Sequence, residues 1–481
     1  MLQDIKLIYK IVLIAEGLIL GGITVAFWYP IDPSLGLRDA WFWLLWLAVP
    51  IFALRLRLTG RIWTRTPLHD WLIAFVLWGV FSYSQAWLQR ESLLAPMGRP
   101  LLGIWTYIYF VELTRATRHL MPALMLFVGM GTSLSVIALV SSQWLEEKSR
   151  LLWGIISRLP RFDYRTFANS LDGQVCGAWV DLVHREACFN PSDLMQWSFL
   201  SFNVNEIGGA LAWIVPAMIG LAMGAPSRTD EPNQGMGWQI LRGVSGVAGT
   251  IGLLALIFGQ SRFAIAGVML SLALISWFSL RSWRWRGVAF GGLALLLLVQ
   301  ISVMFGLAQP QSAGLSDRDA ESVITRQAIW QRSAEMMRDY PLAGVGMYMY
   351  RTAIQQEAYL IPYYVENDLP MPPHAHNEWL HIGAEMGVIG LLLFIGMQVT
   401  TAWMIWQGWH YGDQLSRTVA LAMGAGLLAH AVYGVGDTIA LWDRLQFVLW
   451  WLIGLIGAQY TLARYHRTAS ERDLTPSITD S

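Results

Sequence analysis

Apolar runs of about twenty residues recur along the chain, divided by polar connections. They fall at roughly 9–29, 40–55, 70–88, 99–114, 120–142, 203–224, 242–260, 263–280, 287–308, 384–406, 418–436 and 443–462. A helix of that length spans the hydrocarbon core of a bilayer. The pattern therefore predicts an all-α polytopic membrane protein with about twelve transmembrane helices. Polar positions concentrate in two long loops, 143–202 and 309–383, which divide the chain. N-terminal spans occupy 1–142, central spans 203–308 and C-terminal spans 384–463, with a polar tail at 464–481.

Composition agrees with that division. Hydrophobic residues make up 55% of the 481 and charged residues only 14%, where a soluble domain carries about a quarter. A formal net charge of zero gives no bulk attraction for nucleic acid. Lys6 and Lys10 precede an apolar run from Ile11 to Trp28 in the manner of a signal sequence. No small-residue cleavage site follows, so the run is expected to stay as the first span.

Arginines set the orientation. Arg55, Arg57, Arg61 and Arg65 follow the second expected span, Arg115 and Arg118 the fourth, Arg281, Arg284 and Arg286 the eighth, and Arg464 and Arg467 the last. With twelve spans all lie on one side, which the positive-inside rule assigns to the cytoplasm. Both termini are then inside and both long loops outside.

The first long loop holds the two cysteines, Cys176 and Cys188. In an oxidising compartment they form one disulfide or stay as two thiols, and the disulfide is the expected state. The second loop opens on Gln309-Pro310-Gln311-Ser312, a linker composition. From Arg318 to Tyr340, residues Ile324, Ala328, Ile329, Met336 and Met337 recur at helical spacing. That periodicity predicts an amphipathic helix on the membrane face, ended by Pro341-Leu342-Ala343-Gly344-Val345-Gly346.

Candidate chemistry gathers after this helix, in Pro372-Pro373-His374-Ala375-His376-Asn377-Glu378. The imidazoles of His374 and His376 fit three roles. One is a general base, oriented by a neighbour such as Asn377; another is a metal ligand pair, for which no further ligand stands at a fitting spacing. The third is the polar start of the helix carrying Trp379 to Met386. Arg262, in Gly259-Gln260-Ser261-Arg262 at a tight outer turn, either snorkels to headgroups or offers a fork of donors to phosphate. Arg326 and Arg332 on the amphipathic segment are either part of a solvated helix face or further cations for a diphosphate. Asn203, Asn205 and Glu206 open the sixth span. His430 reads as a buried, hydrogen-bonded histidine, and Asp437, Asp443 and Arg444 mark an outer turn where they can pair with one another. No glycine-rich phosphate loop or Ser/His/Asp order is present. The short cytoplasmic loops leave no room for a nucleotide domain.

Taken in order, these residues resemble the O-antigen ligase and polymerase family of bacterial envelope glycosyltransferases, which also includes pilin O-oligosaccharyltransferases. The resemblance runs from Asn203-Val204-Asn205 through Gln260-Ser261-Arg262, Arg326-Gln327-Ala328-Ile329-Trp330 and Tyr340-Pro341-Leu342-Ala343-Gly344-Val345-Gly346. It closes on His376-Asn377-Glu378-Trp379-Leu380 and Ala384-Glu385-Met386-Gly387-Val388-Ile389-Gly390, the most specific element.

The resemblance implies a lipid-sugar (GT-C-like) transferase fold in the bacterial inner membrane, with its site facing the periplasm. It implies glycan transfer from undecaprenyl diphosphate to an acceptor hydroxyl, with inversion and without metal, nucleotide or other cofactor. His376, with His374 as the alternative, would be the base. Arg262 and Arg326, or Arg332 in place of the latter, would hold the diphosphate, with Asn377, Asn203 and Asn205 in support. The acceptor would be lipid A core for a ligase, a lipid-linked repeat for a polymerase, or a pilin Ser or Thr. Ligase is the favoured member.

From a different class, a transporter or flippase would carry charges deep in its spans and a two-fold internal repeat. Apart from Glu16 few charges lie there, and no repeat is visible.

Overall fold

The computed structural model describes residues 2–28, 45–86, 94–141, 204–226, 235–259, 261–304, 317–439 and 443–473. Asn203, Cys176 and Cys188 lie outside them, and with them the expected disulfide. The described residues contain helices and turns and no strand. The long helices are α1 (Leu2–Trp28), α2 (Ala48–Thr59), α3 (Leu68–Ser84), α4 (Leu94–Thr117), α5 (Met121–Ser141), α6 (Val204–Met223) and α7 (Met236–Gly259). They continue with α8 (Arg262–Ser279), α9 (Trp283–Met304), α10 (Asp317–Asp339), α11 (Glu378–Tyr411), α12 (Gln414–Gly436) and α13 (Phe447–Asp473).

Every expected span overlaps one of these helices. Among the described residues, eight are long and apolar enough to cross a membrane: α1, α5, α6, α7, α8, α11, α12 and α13. The other four fall at α2, α3, α4 and α9. With 12 residues, α2 reaches only about 18 Å, short of a bilayer core. The helix begins inside the apolar run at 40–55 and ends beyond it at Thr59, with Arg55 and Arg57 in its second half. Helix α3 has 17 residues, and α4 carries Pro100 inside it and Arg115 in its last turn.

Large apolar side chains face outward on the outer helices. Leu18, Trp283, Val288, Leu295 and Val399 are all more than half exposed, a distribution suited to lipid rather than water. The interior is built around α6 and α12, which pack on each other and on α8 and α13. A Cβ on Gly267 of α8 would stand 2.2 Å from the Ala429 carbonyl oxygen of α12; only glycine allows that backbone contact, the small-residue packing typical of helices in lipid. At its centre the Trp213 ring stacks on His430 at 3.5 Å, and His430 Nδ1 lies 3.2 Å from the Gly209 carbonyl. His430 is therefore a buried core histidine, as expected.

A second buried cluster ties the N-terminal helices. Arg55 pairs with Glu16, and Trp105 Nε1 donates to Glu16 at 2.7 Å. Tyr9 and Thr64 each donate to Glu112 at 2.6 Å. Arg115 pairs with Glu112 at 2.8 Å, so each buried carboxylate faces an arginine, as ionisable groups inside a membrane protein do.

The amphipathic segment forms α10, with Ile329 and Met336 buried against the bundle, and packs on α11. Helix α11 is broken at Gly387, whose φ of 67° and ψ of −171° are non-helical. The segment 341–350 satisfies the opened backbone. Val345 N donates to Ala384 O at 2.9 Å, Gly346 N to Glu385 O at 3.0 Å and Val388 N to Pro341 O at 2.8 Å. The Glu385 carboxylate accepts from Tyr348 N and Tyr350 N, each at 3.1 Å. Irregular backbone at membrane depth survives only where protein encloses it, and these contacts supply the enclosure. Glu378 to Met386 thus form a short, braced half-helix. The His loop sits on its N-terminus.

Candidate active site

Three elements converge ahead of that half-helix. Asn377 is its N-cap, with extended backbone and its side chain accepting from Leu380 N at 3.0 Å. The other end of the same amide donates to Val435 O on α12 at 2.9 Å. Asn377 therefore caps one helix and ties the loop to the end of another. It does not orient the imidazole.

That role falls to Asp437. The residue follows the last turn of α12, is buried, and lies 3.0 Å from His376 Nδ1 through Oδ1. Thr438 N donates to the same oxygen at 2.9 Å. A carboxylate at Nδ1 favours the tautomer with the proton on that nitrogen, which leaves Nε2 as the acceptor. Burial works to raise the Asp437 carboxyl, but the hydrogen bond from His376, the His374 imidazole and Arg326 together hold it below the usual carboxylate range.

The backbone at His376 has a φ of +46°, uncommon for a side chain larger than glycine. Its carbonyl accepts from Trp330 Nε1 of α10 at 3.1 Å, which braces the turn. Strained backbone held by its surroundings is a feature of functional sites.

Arg326 approaches from α10. Its Nη2 is 3.9 Å from Asp437 Oδ2, and its guanidinium lies over the Phe263 ring at 5.8 Å. Phe263 is the residue after Arg262, and its ring packs against Gly436. The hairpin bearing Arg262 therefore adjoins the Asp437 turn. On the other flank, Ser261 packs against Gly208 of α6, and the Asn205 carbonyl accepts from Tyr433 of α12 at 2.9 Å. Arg332 is turned to its own helix, where it pairs with Glu335 at 2.7 Å. Arg326, not Arg332, is the α10 arginine beside the imidazoles.

His374 stands edge-on to His376, ring centroids 4.4 Å apart. Burial, with His376 alongside, pushes its imidazole from the ordinary 6.5 down to about 4, so it is neutral at neutral pH. A depressed folded-state value means the unfolded chain binds the proton first. Stability should thus fall as pH drops from about 6.5 toward about 4. Melting curves at pH 7 and pH 5 check this, and His374→Gln should flatten the difference.

Two imidazoles and a carboxylate are also a donor set for a transition metal. His374, His376 and Asp437 offer ligand atoms within 4.8 Å of one another. The histidine pair was legible as possible ligands, but the third was not, because Asp437 comes from another helix end.

Residues 247–395 match the family model described as O-antigen ligase. The matched segment contains Arg262, Arg326, His374 and His376, and ends before Asp437. A protein of Rickettsia bellii (strain RML369-C) named "Putative polysaccharide ligase" is 29% identical over 140 residues, covering 28% of this chain and 32% of that protein. One of the same name from Rickettsia conorii (strain ATCC VR-613 / Malish 7) is 34% identical over 74 residues, 15% of this chain and 18% of that protein. The alignments thus span a third or less of these curated relatives. The likeness to the O-antigen ligase family thus rests on residues 247–395, which include the histidine loop and both candidate arginines.

Proposed function

We propose that this protein transfers a glycan from undecaprenyl diphosphate to an acceptor hydroxyl at the periplasmic face of the bacterial inner membrane. The observation that carries the reading is the His376–Asp437 pair at 3.0 Å with Arg326 beside it. His376 Nε2 takes the proton as the acceptor oxygen attacks the anomeric carbon. The bond from that carbon to the diphosphate breaks as the new bond forms, so configuration inverts. Undecaprenyl diphosphate leaves with the bonding electrons. Arg262 and Arg326 hold the diphosphate as its charge rises, the kind of preorganised stabilisation that contributes most in a water-poor site. His374, neutral and packed on His376, adds no competing positive charge.

Asp437 holds the tautomer and offsets the imidazolium formed in the transition state. Asp437→Asn should lower the transfer rate by about 10²-fold or more, read as initial rate with the donor saturating. A drop confined to the donor's KM would argue against a positioning role.

Lipid A core is the favoured acceptor. Purified protein in vesicles, supplied with undecaprenyl-diphosphate glycan and lipid A core in EDTA, tests both acceptor and mechanism. Glycan on lipid A core supports the ligase. Longer lipid-linked glycan makes it a polymerase, and product only with a pilin makes it a protein glycosyltransferase. Activity lost in EDTA and restored by zinc would contradict the base and make His374, His376 and Asp437 metal ligands.

A further inference from the structure

A cavity of about 340 Å³ opens at the opposite end of the bundle, between the last turns of α11 and the C-terminal part of α13. Helix α11 begins at the His loop and runs 34 residues to Tyr411. From the break at Gly387 to Tyr411 the helix rises about 36 Å at 1.5 Å per residue, so the cavity lies at the other membrane face. Trp403, Tyr411 and Tyr460 wall it, with Gln407, Arg464 and Arg467 contributing the polar groups. The Trp403 and Tyr460 rings meet at 5.6 Å, and the Arg467 guanidinium lies over the Tyr411 ring at 5.0 Å.

We propose that this cavity binds the phosphate headgroup of an anionic phospholipid, one per chain. Two guanidiniums and an amide match the oxygens of a phosphodiester. Trp and Tyr belong at headgroup depth, where one edge of the ring meets lipid and the other water. Basic pockets between spans on the arginine-rich side of a membrane protein are suited to such lipids. The same face carries Arg281 and Arg284 beyond α8, whose last turn reaches α11 through the Phe278–Trp409 ring contact at 5.3 Å. These two arginines mark the face as the arginine-rich one and do not line the cavity. The cavity shares no residue with the transfer site at His376.

The test titrates the purified full chain in neutral detergent with dioleoylphosphatidylglycerol, its phosphatidylcholine counterpart and inorganic phosphate, counting bound molecules by native mass spectrometry. One phosphatidylglycerol should bind per chain, at least about tenfold tighter than phosphatidylcholine, and millimolar phosphate should not displace it. Arg464→Gln with Arg467→Gln should weaken binding about thirtyfold, whereas Arg281→Gln with Arg284→Gln should leave it unchanged. If the first double variant is not monodisperse, Tyr411→Leu, which removes the ring beneath Arg467 and keeps both charges, should weaken binding as well. Equal affinity for the two lipids, or unchanged binding in the cavity variants, overturns the proposal. Displacement by phosphate makes it a free-anion site, which overturns the lipid assignment.

Discussion

His376→Ala should lower glycan transfer by about 10²–10⁴-fold, the contribution of a positioned general base, and leave the folded protein in place. The side chain is partly exposed and its loop is held by other contacts. Asn377 keeps its bonds to Leu380 N and Val435 O, and Trp330 bonds the backbone of residue 376 rather than its ring. His374→Ala should cost less, because among the described residues no carboxylate is hydrogen-bonded to that ring and its Nδ1 is buried without a partner. Initial rates of the two variants at equal protein, with melting curves to verify folding, give the comparison. A larger loss for His374→Ala would exchange the roles of the two imidazoles.

The second large effect is on folding. Gly387→Ala should destabilise the protein by about 3 kcal/mol or more, from the cost of a glycine-only backbone region and of overpacking. At φ 67° and ψ −171° the residue occupies a region closed to other side chains. An added Cβ would also stand 2.1 Å from the Leu342 carbonyl oxygen and 2.7 Å from Ala343 N. Neither backbone atom can yield without breaking the bonds that enclose the open turn of α11. Expression yield and melting temperature read the loss. Gly129→Ala in α5 is the contrast: nothing stands within 4 Å of an added Cβ there, so the effect should be smaller. Equal effects would mean that the broken helix is not needed.

The two predictions reflect different legibility in the sequence. Helix α10 was readable because its buried Ile329 and Met336 repeat at helical spacing, and Asn377 was readable as a cap because an amide before an apolar run satisfies free N–H groups. The break at Gly387 was not, since Ala384 to Gly390 is apolar enough to read as uninterrupted helix. Its cause is a paired segment, 341–350, some forty residues upstream. The end of the second apolar run was less legible: helix α2 continues past residue 55 through Arg57 to Thr59, because arginine lowers hydropathy yet is a good helix former.

The site divides in the same way. The two histidines, Arg262 and Arg326 could be singled out from their local settings. Asp437 could not be joined to them, because it lies 61 positions after His376 and its pairing is created by the antiparallel return of α12. A signal was present in the sequence, namely an acidic residue directly after a helix that ends at the outer face, but it reads equally as a turn. Asn377 was assigned the orienting role because it was adjacent, and its two bonds place it elsewhere.

The central claim is that His376 and Asp437 act as one unit. A double-mutant cycle on the transfer rate, with His376→Ala, Asp437→Asn and the pair measured in EDTA with one donor and one acceptor, tests it most directly. Residues that act together lose their effects together. The pair should therefore be no slower than His376→Ala alone, within a few-fold. Losses that multiply would contradict the account and separate Asp437 from the base.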